Sequence, residues 1–163
     1  MEEKLLWLMK RILGIVHIEL SDSKMKNLLQ FIKFGIVGVS NTVISYVLYV
    51  LVLFLLHPIQ VSWDYIVGNI IAFVLSVLWS FYWNDHFVFA VEEGKNRSWR
   101  KALMKSYLSY GFTGIFLNNF LAWLWISVMG ISKYIAPLIN LLVTVPLNFI
   151  INKFWTFRTH VIK

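Results

Sequence analysis

Asn140-Leu-Leu-Val-Thr-Val-Pro-Leu-Asn-Phe-Ile-Ile-Asn-Lys-Phe-Trp-Thr-Phe157 is the stretch that decides the fold. It closes an uncharged run that begins at Tyr134 and stops at Lys153. At ~1.5 Å per residue such a run reaches about 28 Å, close to the hydrocarbon thickness of a bilayer. Its polar side chains, Asn140, Thr144, Asn148 and Asn152, recur at every fourth residue and therefore share one helix face. A stripe of that kind turns away from lipid tails, toward other helices or a wet groove. Pro137 and Pro146 are expected to bend this span and free backbone carbonyls within the polar face.

Three more uncharged runs precede it: Phe34 to Leu56, Tyr65 to Trp83 and Ser106 to Met129. Over 163 residues the chain is 59% hydrophobic with a mean hydropathy of +0.70, more apolar surface than a soluble core of this size hides. Charged residues make up 14% and gather between the runs, as expected when lipid surrounds the runs and water the gaps. The connections His57 to Asp64 and Gly130 to Lys133 are short, so each successive pair forms an antiparallel hairpin. The expected fold is an all-α membrane protein with four transmembrane helices, near residues 34–56, 65–83, 106–129 and 134–152.

Ahead of these, Leu5, Leu8, Met9, Ile12, Ile15 and Val16 recur at helical spacing opposite Lys10, Gly14, His17 and Ser21. Glu2 and Glu3 spoil a signal peptide's positive start, and Lys10 and Arg11 interrupt its apolar stretch. The pattern instead predicts an amphipathic helix in the membrane surface. Residues 1–30 thus form a cytoplasmic N-terminal segment, 31–158 the membrane domain and 159–163 a cytoplasmic tail.

Orientation follows from the basic residues. Of 15 lysines and arginines, only Lys133 lies in a connection on the far side; the others precede the first span, lie between the second and third, or follow the fourth. The positive-inside rule then puts both termini and the central loop in the cytoplasm of a multi-pass cell-membrane protein. The net charge of +7 flanks the spans, so anionic lipid is the expected partner rather than nucleic acid. Cysteine is absent, which excludes disulfides, thiolate metal sites and a cysteine nucleophile. The polar central loop, Glu92 to Trp99, reads as a mobile linker without chemistry.

The chain also repeats itself. Ser80-Phe-Tyr-Trp-Asn-Asp-His-Phe-Val-Phe89 aligns with Asn148 to Phe157 at a shift of 68, pairing Phe81 with Phe149, Asn84 with Asn152 and Phe89 with Phe157. Phe34-Gly-Ile-Val-Gly38 likewise matches Tyr110-Gly-Phe-Thr-Gly114, with Asn41 three residues after the first motif and Asn118 four after the second. Two crossings per half give both halves the same orientation, related by an axis along the membrane normal. The second span's counterparts of the amide stripe are Ala72, Ser76, Ser80 and Asn84, all small or polar. Gly35, Gly38, Gly111 and Gly114 offer small faces for helix packing, the bland use of such residues. Asn41, Asn118, Asn140, Thr144, Asn148, Asn152, Ser76, Ser80 and Asn84 are the candidate groove lining, since amides supply both donors and acceptors to sugar hydroxyls. Lys33, His86, Lys153 and Arg158 stand at the cytoplasmic ends, where they suit a lipid phosphate as well as ordinary headgroup anchoring. Nothing suggests a metal site, a cofactor or a nucleophile with its base, and an enzyme is not expected.

Phe31-Ile-Lys-Phe-Gly-Ile-Val-Gly-Val-Ser-Asn-Thr42 followed by Asn148 to Phe157 resembles the GtrA-like family, over roughly Phe31 to Arg158. The resemblance implies a small four-span protein that moves polyprenyl-phosphate-linked sugars across the membrane for surface polysaccharide or glycoconjugate synthesis. It implies a cytoplasmic polyprenyl-phosphate glycosyltransferase as partner. Ser80 departs from the family's usual Asn and Asp85 from its usual basic residue, which favours Lys153 as the phosphate contact. Four thin helices hardly enclose such a headgroup, so a homodimer or higher homo-oligomer is expected. Two other classes fit less well: a non-transporting subunit that organises a glycosyltransferase, and a proton-coupled exporter, which ordinarily needs a carboxylate within the membrane.

Overall fold

The computed structural model describes residues 21–59, 64–132 and 135–161, with Trp7 and Arg11. The expected amphipathic helix over residues 5–20 otherwise lies outside the described residues. Helix α1 runs over Asp22–Leu56 and ends in a 3-10 turn, His57–Ile59. Helix α2, Asp64–Trp83, continues into a π-helical turn, Asn84–Val88. Helix α3 spans Trp99–Val128 and opens into π turns at Phe112–Leu117 and Leu124–Val128. Helix α4, Ala136–Ile151, ends as α2 does, in a π turn over Asn152–Thr156. Each of the four contains a segment long and apolar enough to cross a membrane. Two short strands, β1 (Lys95–Asn96) and β2 (His160–Val161), pair antiparallel.

The helices differ from the uncharged runs mainly at their ends. Helix α1 starts at Asp22 and passes unbroken through the 30/31 boundary, because a carboxylate in the first turn favours a helix start and Lys24 and Lys26 are good helix formers in water. Pro137 does not bend α4; it sits in the first turn, where its missing N–H has no intrahelical partner to lose. Pro146 is the proline inside the helix.

The aromatic core lies at the basic end. Phe34, Val37, Phe81, Val88, Phe89 and Phe157 are buried together, with Phe149 packed against them. Phe81 stacks on Phe157 with centroids 5.6 Å apart, and Phe89 meets Phe149 at 5.9 Å. Shifting either pair by 68 residues produces the other, so each half lends the same two rings to its opposite number. Both π turns also close alike: the N–H of Phe89 donates to Asn84 O at 2.7 Å and that of Phe157 to Asn152 O at 2.8 Å. Away from this core the surface is apolar, with Leu142 77% and Phe54 74% exposed, as lipid-facing helices require.

The four glycines chosen for helix packing have a different place. Among the described residues, a Cβ added at Gly35, Gly38, Gly111 or Gly114 meets nothing within 4 Å, so none holds two of the described helices together. Gly68 does. Its added Cβ would stand 3.0 Å from Cδ2 and 3.1 Å from Cε2 of Tyr49, where α2 crosses α1. Gly68→Leu is therefore expected to destabilise the α1/α2 hairpin by about 1–3 kcal/mol through overpacking. Thermal unfolding in detergent checks this: Gly68→Leu should lower the midpoint, and Gly38→Leu should leave that of the monomer unchanged.

Candidate functional site

At the basic end, α1 and the π turn of α4 enclose a groove of about 640 Å³. Lys26, Asn27, Gln30 and Lys33 enter it from α1, and Lys153 enters from the other hairpin. Lys33 is only 6% exposed, and its Nζ lies 4.9 Å from the Phe87 ring centroid, so its charge sits against an aromatic face. Lys153 Nζ donates to Asn27 Oδ1 at 2.6 Å and lies 5.4 Å from the Phe149 ring. Asp22 and Glu92 also reach the groove. Glu92 accepts a hydrogen bond from Lys95 Nζ at 2.5 Å, and that bond and charge hold its carboxyl below the usual carboxylate range.

Of the four basic residues expected near a phosphate, Lys33 and Lys153 converge and two do not. His86 is exposed; its ring stacks on Tyr82 with centroids 4.5 Å apart, and Nδ1 is 2.9 Å from Tyr82 O. Arg158 is exposed and does not line the groove. Lys26 was not among the candidates, although Lys26, Gln30 and Lys33 follow the i, i+4, i+7 spacing of one helix face.

The amide stripe is largely engaged between helices. Asn140 Nδ2 donates to Asn118 O at 3.0 Å and Asn118 Oδ1 at 2.6 Å, and Trp125 Nε1 donates to Asn140 Oδ1 at 2.9 Å. Thr113 Oγ1 donates to Asn148 Oδ1 at 2.8 Å, and Thr144 Oγ1 to Asn140 O at 2.8 Å. Asn84 Nδ2 donates to Ser80 Oγ at 3.1 Å and to the Tyr110 hydroxyl at 3.2 Å. Ser76 Oγ bonds Phe73 O at 3.2 Å within its own helix. Asn152, expected beside Lys153 in the groove, has no exposed surface and donates to Asn148 O at 2.8 Å. Asn41 is the exception: it lines a lateral cleft between α1, α2 and Ile115 of α3.

The central loop carries a residue that its polarity disguised. Arg97 has a side chain 4% exposed, ion-paired with the Asp85 carboxylate. Its Nη1 donates to Phe89 O at 3.0 Å and Phe157 O at 2.8 Å, and its guanidinium lies 4.9 Å from the Phe157 ring centroid. One guanidinium thus closes the carbonyl ends of both π-terminated helices, beside the β1/β2 pair. The segment is a clamp rather than a linker, and the signal was there: Asp85, standing where a basic residue was expected, requires a cation nearby. That pairing also occupies the Asp85 carboxylate at the end of α2. Among the described residues no three His, Asp or Glu side chains gather to hold a metal ion.

Residues 33–157 match the family described as GtrA/DPMS, transmembrane domain. The chain is similar to the cell wall teichoic acid glycosylation protein GtcA of Listeria monocytogenes, 26% identical over 125 residues, which covers 76% of this chain and 81% of that one. It is similarly related to the GtcA of Listeria innocua serovar 6a, 26% identical over 134 residues, covering 81% and 87%. No solved structure matches.

Proposed function

Because the chain belongs to the GtrA/DPMS transmembrane-domain family, a multi-pass membrane family with relatives that serve cell-wall glycosylation, we propose that it carries a polyprenyl-phosphate-linked sugar across the cytoplasmic membrane. The single observation that supports this most is the convergence of Lys33 and Lys153, from different hairpins, on one groove at the basic end. A phosphodiester there meets ammonium groups held on aromatic faces, with the Asn27 and Gln30 amides as neutral donors. The polyprenyl tail stays in the bilayer, and no covalent bond is made or broken. Consumption of the sugar donor on the outer face, for surface polysaccharide or glycoconjugate synthesis, then sets the direction.

The remaining parts of the reading follow from the same end of the molecule. The basic face is cytoplasmic and receives the loaded lipid from a polyprenyl-phosphate glycosyltransferase. The two hairpins are related by an axis along the membrane normal, a relation supported by the π turns 68 residues apart and the reciprocal phenylalanine pairs. The glycine faces of α1 and α3, open within one chain, meet a second copy in a homo-oligomer.

Purified protein in vesicles should expose polyprenyl-phosphate sugar from one leaflet to a reagent confined to the other side; no acceleration over protein-free vesicles would reject the reading. Topology has its own check, made simple by the absence of native cysteine. In intact cells Gln60→Cys should react with an impermeant maleimide, while Glu93→Cys should react only after permeabilisation. Labelling of Glu93→Cys from outside would invert the orientation.

A further inference from the structure

The two hairpins resolve one amide contact in opposite ways. In the α3/α4 hairpin, Asn140 Nδ2 donates to Asn118, and Asn140 Oδ1 accepts from the Trp125 indole. The residue 68 positions before Asn140 is Ala72, and the counterpart of Asn118 is Asn41. Their one-residue offset is taken up by the π turn over Phe112–Leu117, since an i→i+5 turn holds an extra residue. Ala72 supplies no amide. Asn41 Oδ1 is consequently buried with no hydrogen-bond partner among the described residues. Asn41 and Ala72 line the same cavity, of about 710 Å³, with Thr42, Ser45, Tyr49 and Asn69. That volume is in the range of small-ligand sites.

Resting on the sugar-lipid reading above, we infer that this cleft of the first hairpin receives the glycosyl headgroup, whose hydroxyl donates to Asn41 Oδ1 as the amide turns from its buried position into the cleft. The chemistry selects the sugar over the phosphate. Asn41 Oδ1 needs a donor, which a hydroxyl offers and an ionised phosphodiester does not. Among the described residues the lining carries no charged side chain, whereas the basic groove holds three lysines. Asn69, Thr42 and Ser45 supply further polar groups, and the Tyr49 ring supplies an apolar wall for the pyranose C–H face. Asn41 stands eight residues, about 12 Å, beyond Lys33 along α1, so the cleft is a separate station further into the membrane. In the second hairpin Asn140 occupies the position that corresponds to Ala72 and meets Asn118 there.

Ala72→Asn tests this by copying the closed hairpin into the open one. Binding to purified protein in detergent would be measured for short-chain polyprenyl-phosphate glucose, galactose, mannose and N-acetylglucosamine, and for the same lipid without sugar. The wild type should bind at least one sugar form more tightly than the bare lipid. Ala72→Asn should weaken that form about tenfold, on the scale of one lost hydrogen bond and the filled space, and leave the bare lipid unchanged. Asn41→Leu should do the same, and carries the test if Ala72→Asn fails to fold. Equal binding of all five lipids by wild type, or wild-type sugar preference in either folded variant, would overturn the cleft alone. Failure of all five lipids to bind would instead sink the sugar-lipid reading. A free methyl hexoside that competes as well as the lipid-linked form would overturn the assignment to a lipid headgroup.

Discussion

Lys153→Gln is expected to slow transbilayer movement of a polyprenyl-phosphate sugar about a hundredfold, on the order of a few kcal/mol for a charge-assisted contact removed from a half-buried site. The substitution keeps an amide within reach of Asn27 but removes the basic side chain that the second hairpin brings to the described groove lining. Insertion should be unaffected, because Arg158 and the other basic residues at that end still satisfy the positive-inside bias. Arg158→Gln is the matched control, since that residue is exposed and outside the groove. The measurement is headgroup accessibility in vesicles holding equal amounts of each variant. A Lys153→Gln protein as fast as wild type would return Lys153 to an anchoring role.

The second large effect is on stability. Arg97→Met removes the cation from a buried ion pair and strips donors from two helix-ending carbonyls, a loss of about 3–5 kcal/mol for an unpaired buried charge. Arg97→Lys should rescue little of it, because an ammonium cannot span Asp85, Phe89 O and Phe157 O as a planar fork does. The double variant Arg97→Met/Asp85→Leu should be more stable than Arg97→Met, since it no longer buries a lone carboxylate. Thermal unfolding of the three proteins in one detergent decides the matter; an unchanged midpoint for Arg97→Met would mean that the clamp carries no load.

The four helices were legible because hydrocarbon length and charge placement are properties of the chain itself, as Tyr134 to Lys153 shows. Lys33 and Lys153 could be chosen for the same reason: both stand where an apolar run stops. What could not be read was which polar groups spend themselves on one another. Asn140 and Asn41 look alike in sequence, and only the hydrogen bonds of the folded chain reveal one as paired and the other as open. The glycine faces named no neighbour, because a Gly-x-x-Gly face announces close approach without saying to what, while Gly68, alone in its span, carried no pattern at all. Arg97 was hidden by its setting in a charged loop, where burial is not the ordinary expectation.

The π turn at Phe112–Leu117 has a consequence for how such a chain tolerates change in length. Loss of one residue from an ordinary helix swings everything beyond it by about 100°. Within Phe112–Leu117 the extra residue of the wider turn can be surrendered, closing it to α-helical pitch while Asn118 keeps its azimuth toward α4 and Gly111 keeps its own. Helix α1 already has that shorter spacing between its glycine motif and Asn41. Helices α1 and α3 thus carry the short and long spacings between glycine motif and asparagine, and a one-residue deletion that would scramble an ordinary α-helical stretch is expected to be silent there.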